Sequence, residues 1–167
     1  KVYGLILSQD IKTNMTLSCL ESFVEHGVIN QDKEHAAVHD GIQSLRIKTP
    51  SSAQLVQNLS GGNQQKVLFM KSILADPKVL FLDEPTRGID VGAKYEIYEL
   101  INRLVDDGIS VVMISSELPE VINMSDRIYV MHEGRIQKEL IRGRDEFSQE
   151  TIMYYASGCS DDTAVRS

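Results

Sequence analysis

The chain has 167 residues, 42% hydrophobic and 25% charged, which is enough for one domain with a real core and ordinary for a globular protein. Its formal net charge of −7 argues against a phosphate-backbone binder, which carries a basic face, so no nucleic-acid partner is expected. No apolar run approaches the roughly 20 residues that cross a bilayer, so any membrane association is expected to go through a partner.

The opening "KVYGLILSQD" has neither Met nor a signal-peptide cleavage pattern, and it reads as the middle of something longer. Residues 11–48 read as helical. "MTLSCLESFVEHG" puts Leu17, Leu20, Phe23 and Val24 on one face, with Gly27 as a stop. "NQDKEHAAVHDGIQSLRI" follows, with Asn30 or Asp32 as cap and Ala37, Ile42 and Leu45 on one side. His35 and His39 have the spacing of a metal pair, but no third ligand is evident, and they read as solvated helix surface. Cys19 and Cys159 form no CxxC or Cys/His cluster and read as free thiols of a reducing cytosol.

"TPSSAQLVQNL" is a loop. A helix over 61–75 follows, opened by two glycines, with Val67, Leu68, Met70, Ile73 and Leu74 apolar and Asp76-Pro77 beyond it. "KVLFLDEP" is a short continuous apolar run that suits a strand buried on both faces. A helix at about 92–106 directs Ile97, Leu100, Ile101 and Leu104 inward, with Gly108 past its end. "ISVVMIS" is a second buried strand, and strand, helix and strand make a βαβ unit. "ELPEVINMSD" is a short helix and "RIYVMHEGRIQKEL" a hairpin turning at Glu133-Gly134. Ser148 caps a last helix stopped by Gly158, and the polar tail 159–167 is expected to be disordered.

Two stretches carry chemistry. Asp83 and Glu84 sit where a buried parallel strand runs out, the place where open α/β sheets put their ligands. Adjacent residues of a strand point in different directions, so Asp83 can serve Mg²⁺ while Glu84 orients or deprotonates a water. Read alone, the stretch fits a solvated turn equally well. In "NLSGGNQQKV", Ser60-Gly61-Gly62 open a helix with unshielded backbone N–H groups at its positive end, an anion site that a phosphate can approach closely. The competing reading is a flexible loop-to-helix junction.

"LSGGNQQKV" resembles the signature motif of ATP-binding-cassette (ABC) ATPases, and "VLFLDEPTRGID" resembles their Walker B segment and D-loop, in the same order and at similar spacing. The resemblance runs from "GLILSQDIKTNMTL" to "SDRIYVMHEGRI". "LDEPTRGIDVGAKYEIYELI", "ISSELPEVINMSDRIYVMHEGRI" and "ETIMYYASG" are similar to the C-terminal cassette of bacterial ribose/galactose-type monosaccharide importers. The implied fold is α/β, an incomplete P-loop NTPase (ABC ATPase) core with parallel strands, an N-terminal helical subdomain and a C-terminal β-hairpin plus helix. It would span 1–158, with 11–75 holding the helical subdomain and signature, and 78–140 the Walker B, D-loop and switch-strand core. The resemblance implies that Ser60, Gly61, Gly62, Asn63 and Gln64 touch the γ-phosphate of ATP held by an opposing cassette. Asp83 would serve Mg²⁺, Glu84 the hydrolytic water, and Asp90 would be the D-loop acid crossing to that cassette. The implied partners are a second ATP-binding cassette, transmembrane permease subunits and, indirectly, a periplasmic or lipoprotein sugar-binding protein. The implied location is the cytoplasmic face of the cell membrane, peripherally.

The sequence also departs from the family. Many cassettes carry a His after the second buried strand, whereas "MISSEL" places Ser116 at that switch position, as sugar-importer C-terminal cassettes do. A Ser stabilises developing charge less well than an imidazolium. His132 follows a strand and reads as structural or exposed. GxxxxGK[ST] occurs nowhere, and the Q-loop is absent as well. The family's phosphate-loop strand lies between the 110–115 strand and the 127–132 strand, so the 109–114 run is expected to expose an apolar edge, or the hairpin to repack on it. Two functions therefore stand: part of an ATP-hydrolysing subunit for monosaccharide import, or a non-catalytic fragment offering only its signature face in trans.

Overall fold

The computed structural model describes residues 4–159. Its contacts divide the chain into two units, between Val112 and Met113. The early part of the first unit holds α1 (Ile11–Thr16), a short hairpin of β1 (Val24–Glu25) and β2 (Val28–Ile29), and α2 (Gln31–Ser44). The single helix expected across "MTLSCLESFVEHG" is not formed. Helix α1 ends at Thr16, a 3₁₀ turn covers Leu20–Phe23, and His26 and Gly27 adopt φ of 52° and 82°. Two successive positive φ values are what a tight β-hairpin turn requires, so Gly27 turns a hairpin here and does not end a helix.

Asn30 caps α2, its side chain accepting from Lys33 N–H at 3.1 Å. The buried stripe is Glu34, Val38, Gly41 and Leu45; of the expected face, Leu45 is buried while Ala37 and Ile42 lie half-buried at its flanks. Glu34 belongs to the stripe: Lys12 Nζ lies 2.9 Å from its Oε2, and Thr16 Oγ1 donates to its Oε1 at 2.7 Å, so the acid enters the core fully partnered. A Cβ at Gly41 would meet Met70 Cγ at 2.8 Å, so the missing side chain lets α2 lie close on the next helix.

That helix, α3 (Gly61–Ile73), buries Gln65, Lys66, Val67, Phe69 and Met70. Then come β3 (Val79–Asp83), α4 (Val91–Asp106) and β4 (Ser110–Ile114), the expected βαβ unit with parallel strands. Helix α4 buries Ile97, Leu100, Ile101 and Leu104, each worth roughly 1.5–3 kcal/mol of transfer free energy. Strand β3 does not bury both faces. Leu80 and Leu82 point inward, while Val79 is 48% and Phe81 71% exposed, and Val112 of β4 is 43% exposed. Among the described residues nothing covers that face, which is why a run apolar enough for a doubly covered strand alternates in burial.

The second unit holds α5 (Leu118–Met124), a hairpin of β5 (Arg127–His132) and β6 (Arg135–Ile141), and α6 (Gln149–Ala156). The hairpin forms a two-stranded sheet of its own and turns at Glu133 and Gly134, with φ of 46° and 76°. Ile128, Val130 and Leu140 pack with Ile152 and Tyr155 of α6, against Leu118, Val121 and Ile122 of α5. Ser148 caps α6, its hydroxyl accepting from Thr151 N–H at 3.1 Å. Of the two expectations for His132, the contact favours the structural one: its Nδ1 bonds Ala156 C=O at 2.8 Å near the end of that helix. Cys159 is half-buried, and the rest of the expected disordered tail lies outside the described residues.

Candidate functional site

Ser60 is the N-cap of α3 and stands exposed in front of the two half-buried glycines. Its hydroxyl accepts from Asn63 N–H at 3.4 Å and from Asn63 Nδ2 at 2.9 Å. Asn63 Oδ1 in turn accepts from Lys48 N–H at 2.9 Å, so the helix tip is tied to the 46–48 segment. Gln64 Nε2 donates to Val56 and Leu59 carbonyls at 3.1 and 3.2 Å. Its amide nitrogen holds the turn that leads into α3, and both donors are directed at the chain itself.

Gly62 has a steric purpose that the sequence did not reveal. A Cβ there would lie 3.2 Å from Ala93 Cβ and 4.0 Å from Ile89 Cγ2, so the starts of α3 and α4 sit side by side. Asp90 is the N-cap of α4, its Oδ1 accepting from Ala93 N–H at 3.0 Å. The N-termini of α3 and α4, capped by Ser60 and Asp90, thus lie close together, each a region of positive partial charge.

Asp83 is exposed at the end of β3 and Glu84 is half-buried. The turn after them closes through Arg87 N–H to Glu84 C=O and Ile89 N–H to Thr86 C=O, both 3.2 Å. Glu84 has φ of 48°, left-handed backbone for a non-glycine residue placed just before a proline. Such strain costs about 1–3 kcal/mol and collects at functional sites. In the second unit Ser116 is exposed between β4 and α5, on a turn held by Ser115. The Ser115 hydroxyl accepts from Glu117 N–H at 3.0 Å and donates to buried Glu120 at 2.5 Å.

Lys66 stands in the sequence only as one position of an apolar helix, yet the fold buries it to 7% exposure. Its Nζ lies 2.5 Å from Glu96 Oε2 on α4 and donates to Arg46 C=O at 3.3 Å. The Lys66 hydrogen bond holds the Glu96 carboxyl below the usual carboxylate range. The available signal was spacing: Lys66 follows Gly62 by four residues and shares its helix face.

A family description, "ABC transporter", matches residues 5–87. The chain is 52% identical over 153 residues to the xylose import ATP-binding protein XylG of Photobacterium profundum, covering 92% of this chain and 30% of that protein. It is 54% identical over 156 residues to the ribose import ATP-binding protein RbsA of Caldanaerobacter subterraneus, covering 93% and 31%. It is 54% identical over 150 residues to the L-arabinose transport ATP-binding protein AraG of Geobacillus stearothermophilus, covering 90% and 29%. This chain belongs to the ABC-transporter ATP-binding proteins. It spans about 30% of the length of these relatives. The fold agrees: the dimeric bacterial ABC transporter cassette MJ0796 superposes with a TM-score of 0.72 at 21% identity, covering 84% of this chain and 60% of that one. The cassette MJ1267 gives 0.70 at 21% identity, covering 96% and 62%.

The family implies ATP and Mg²⁺, and the residues present fit one side of that pair. Mg²⁺ takes one or two protein carboxylates and fills its shell with water and phosphate oxygens. Asp83 offers one exposed carboxylate. Among the described residues no group of three or more His, Cys, Asp or Glu could hold a metal without such help. Bare N–H groups behind Ser60 suit a terminal phosphate. The motif that cradles the inner phosphates, GxxxxGK[ST], does not occur among these 167 residues.

Proposed function

We propose that this chain is the signature-bearing part of an ATP-hydrolysing cassette that energises import of a monosaccharide. The observation that carries this reading is the α3 tip, where an exposed Ser60 fronts two glycines and Asn63 is braced from outside the helix. In this reading Ser60, Gly61, Gly62 and Asn63 face the γ-phosphate of ATP held by a second cassette, and Gln64 holds the tip in shape. Asp90 faces the same cassette. Asp83 holds Mg²⁺ and Glu84 positions the water at the nucleotide of its own cassette, with Ser116 at the switch position. When bound, Mg²⁺-ATP supplies the phosphoryl group and the charge neutralisation that phosphoryl transfer needs.

The sugar importers named above support a permease and a sugar-binding protein as further partners, with this protein peripheral on the cytoplasmic face of the membrane. Among the described residues no helix is long and apolar enough to cross a membrane. The exposed Ser60 tip also fits a second reading, in which the chain only presents its signature face in trans. Phosphate release from Mg²⁺-ATP decides between them. We expect background rates for the purified chain and a rise when a polypeptide carrying a phosphate loop is added. Turnover by the chain alone would contradict the trans reading, and no rise in any mixture would remove both.

A further inference from the structure

Helices α3 and α4 touch along two successive rungs. The first is Gly62 against Ala93, where a Cβ at residue 62 would stand 3.2 Å from Ala93 Cβ. The second is one turn deeper, where Lys66 Nζ meets Glu96 Oε2 at 2.5 Å. Positions 62 and 66 share a face of α3, and 93 and 96 share a face of α4. The Lys66 side chain is 9% exposed and that of Glu96 49%, so the ammonium sits in the seam while the carboxylate reaches it from the rim. Lys66 also donates to Arg46 C=O at 3.3 Å, and Asn63 receives Lys48 N–H. One buried ammonium therefore joins α3, α4 and the strap after α2.

We infer that Lys66, through Glu96 and Arg46, is a positioning residue that locks the Ser60–Asn63 tip against the Asp90-capped start of α4, so that both present one rigid edge to the opposing nucleotide. This inference rests on the proposed function for its purpose. The lock itself rests only on geometry. A lysine is an expensive way to fill a helix seam, because a methionine of similar length would pack there without a charge to desolvate. Its ammonium, however, holds the Glu96 carboxylate and the Arg46 carbonyl at fixed distances from α3, which an apolar side chain cannot do. Sliding α3 past α4 would leave that ammonium buried and unpaired, so intermediate positions are disfavoured.

The test compares Lys66→Met, Lys66→Arg and Glu96→Ala in the full chain. Hydrogen exchange reads the lock without any nucleotide. We expect amides 63–66 and 93–96 to exchange at least tenfold faster in Lys66→Met and Glu96→Ala, the rest of the chain and the melting midpoint to change little, and Lys66→Arg to restore protection. In the phosphate-release mixture the same two variants should lose at least tenfold in maximal rate with the nucleotide requirement unchanged. Wild-type exchange at both tips in Glu96→Ala would overturn the lock. Faster exchange spread evenly over the whole chain would overturn it too, since it would mark ordinary loss of stability. Should Lys66→Met fail to fold, Glu96→Ala decides, because its side chain is half exposed. Should no mixture release phosphate, the functional reading fails, while exchange still settles the lock.

Discussion

Lys12 Nζ lies 2.9 Å from Glu34 Oε2, joining α1 to α2 across the only charged side chain buried in the stripe of α2. Burial raises the Glu34 pKa, but the hydrogen bonds from Lys12 and Thr16 outweigh it and the carboxyl stays below its usual range. A depressed folded-state value means the pair stabilises the protein above the ordinary carboxylate range and loses that contribution as the pH falls through the folded value. Glu34→Gln should cost about 1–3 kcal/mol at pH 7. The gap to the wild type should narrow as the pH falls from the ordinary carboxylate range through the depressed folded-state value, where the wild-type acid takes up its proton. Urea melts across pH check both. A gap independent of pH would mean that shape, not charge, holds the two helices.

Gly62→Ala should destabilise by about 1–3 kcal/mol through overpacking, although alanine is the better helix former. Ala93→Gly should be mildly destabilising alone, yet it should recover most of the loss when combined with Gly62→Ala, because it removes the atom that the new methyl meets at 3.2 Å. A double-mutant cycle measures the coupling. Additive losses would show that the glycine serves only access to its N–H groups.

Ser60→Arg should abolish the rise in phosphate release when a phosphate-loop polypeptide is present, since the guanidinium fills the space in front of the two glycines. Its stability cost should be about 1 kcal/mol, the value of a lost helix cap. Full stimulated turnover in this variant would remove the α3 tip from the site.

Phe81→Ser should change stability little, because the ring is 71% exposed, and should reduce binding of an apolar dye and concentration-dependent self-association. Val79 and Val112 share the exposed face, so Val79→Ser should act in the same direction and more weakly. Sedimentation of the variants against the wild type gives the answer, and equal association constants would mean that the bare sheet face is not what drives association.

The parts of the fold legible from sequence were those whose pattern has one physical solution. Ile97, Leu100, Ile101 and Leu104 repeat at helical spacing with polar residues between them, and α4 buries those four. Ser60 and Ser148 stand before helices and cap them. Where one pattern allows two solutions the reading went astray. "VEHGV" suits a helix stop as well as a hairpin turn, and only the positive φ of both His26 and Gly27 decides. "VLFLD" is equally apolar whether one face or two are covered, a matter that depends on chain not adjacent in sequence. The burial of Lys66 was not readable, because lysine is rarely buried and its partner Glu96 is 30 positions away. Of the candidate site, residue types and order were readable. That Gly62 answers to Ala93, and that Gln64 turns its amide toward Val56 and Leu59, were not, since both depend on atoms brought in by the tertiary fold.

The left-handed backbone of Glu84 has a practical corollary. Every side chain except glycine carries a steric penalty at that torsion, about 1–2 kcal/mol, against the roughly 0.5–1 kcal/mol that glycine loses in the unfolded chain. Directed evolution for yield or heat tolerance would thus drift toward glycine at position 84. A library screened that way would enrich well-behaved proteins stripped of the carboxylate that the proposed function assigns to the water, so expression level is a misleading guide to which variants to keep.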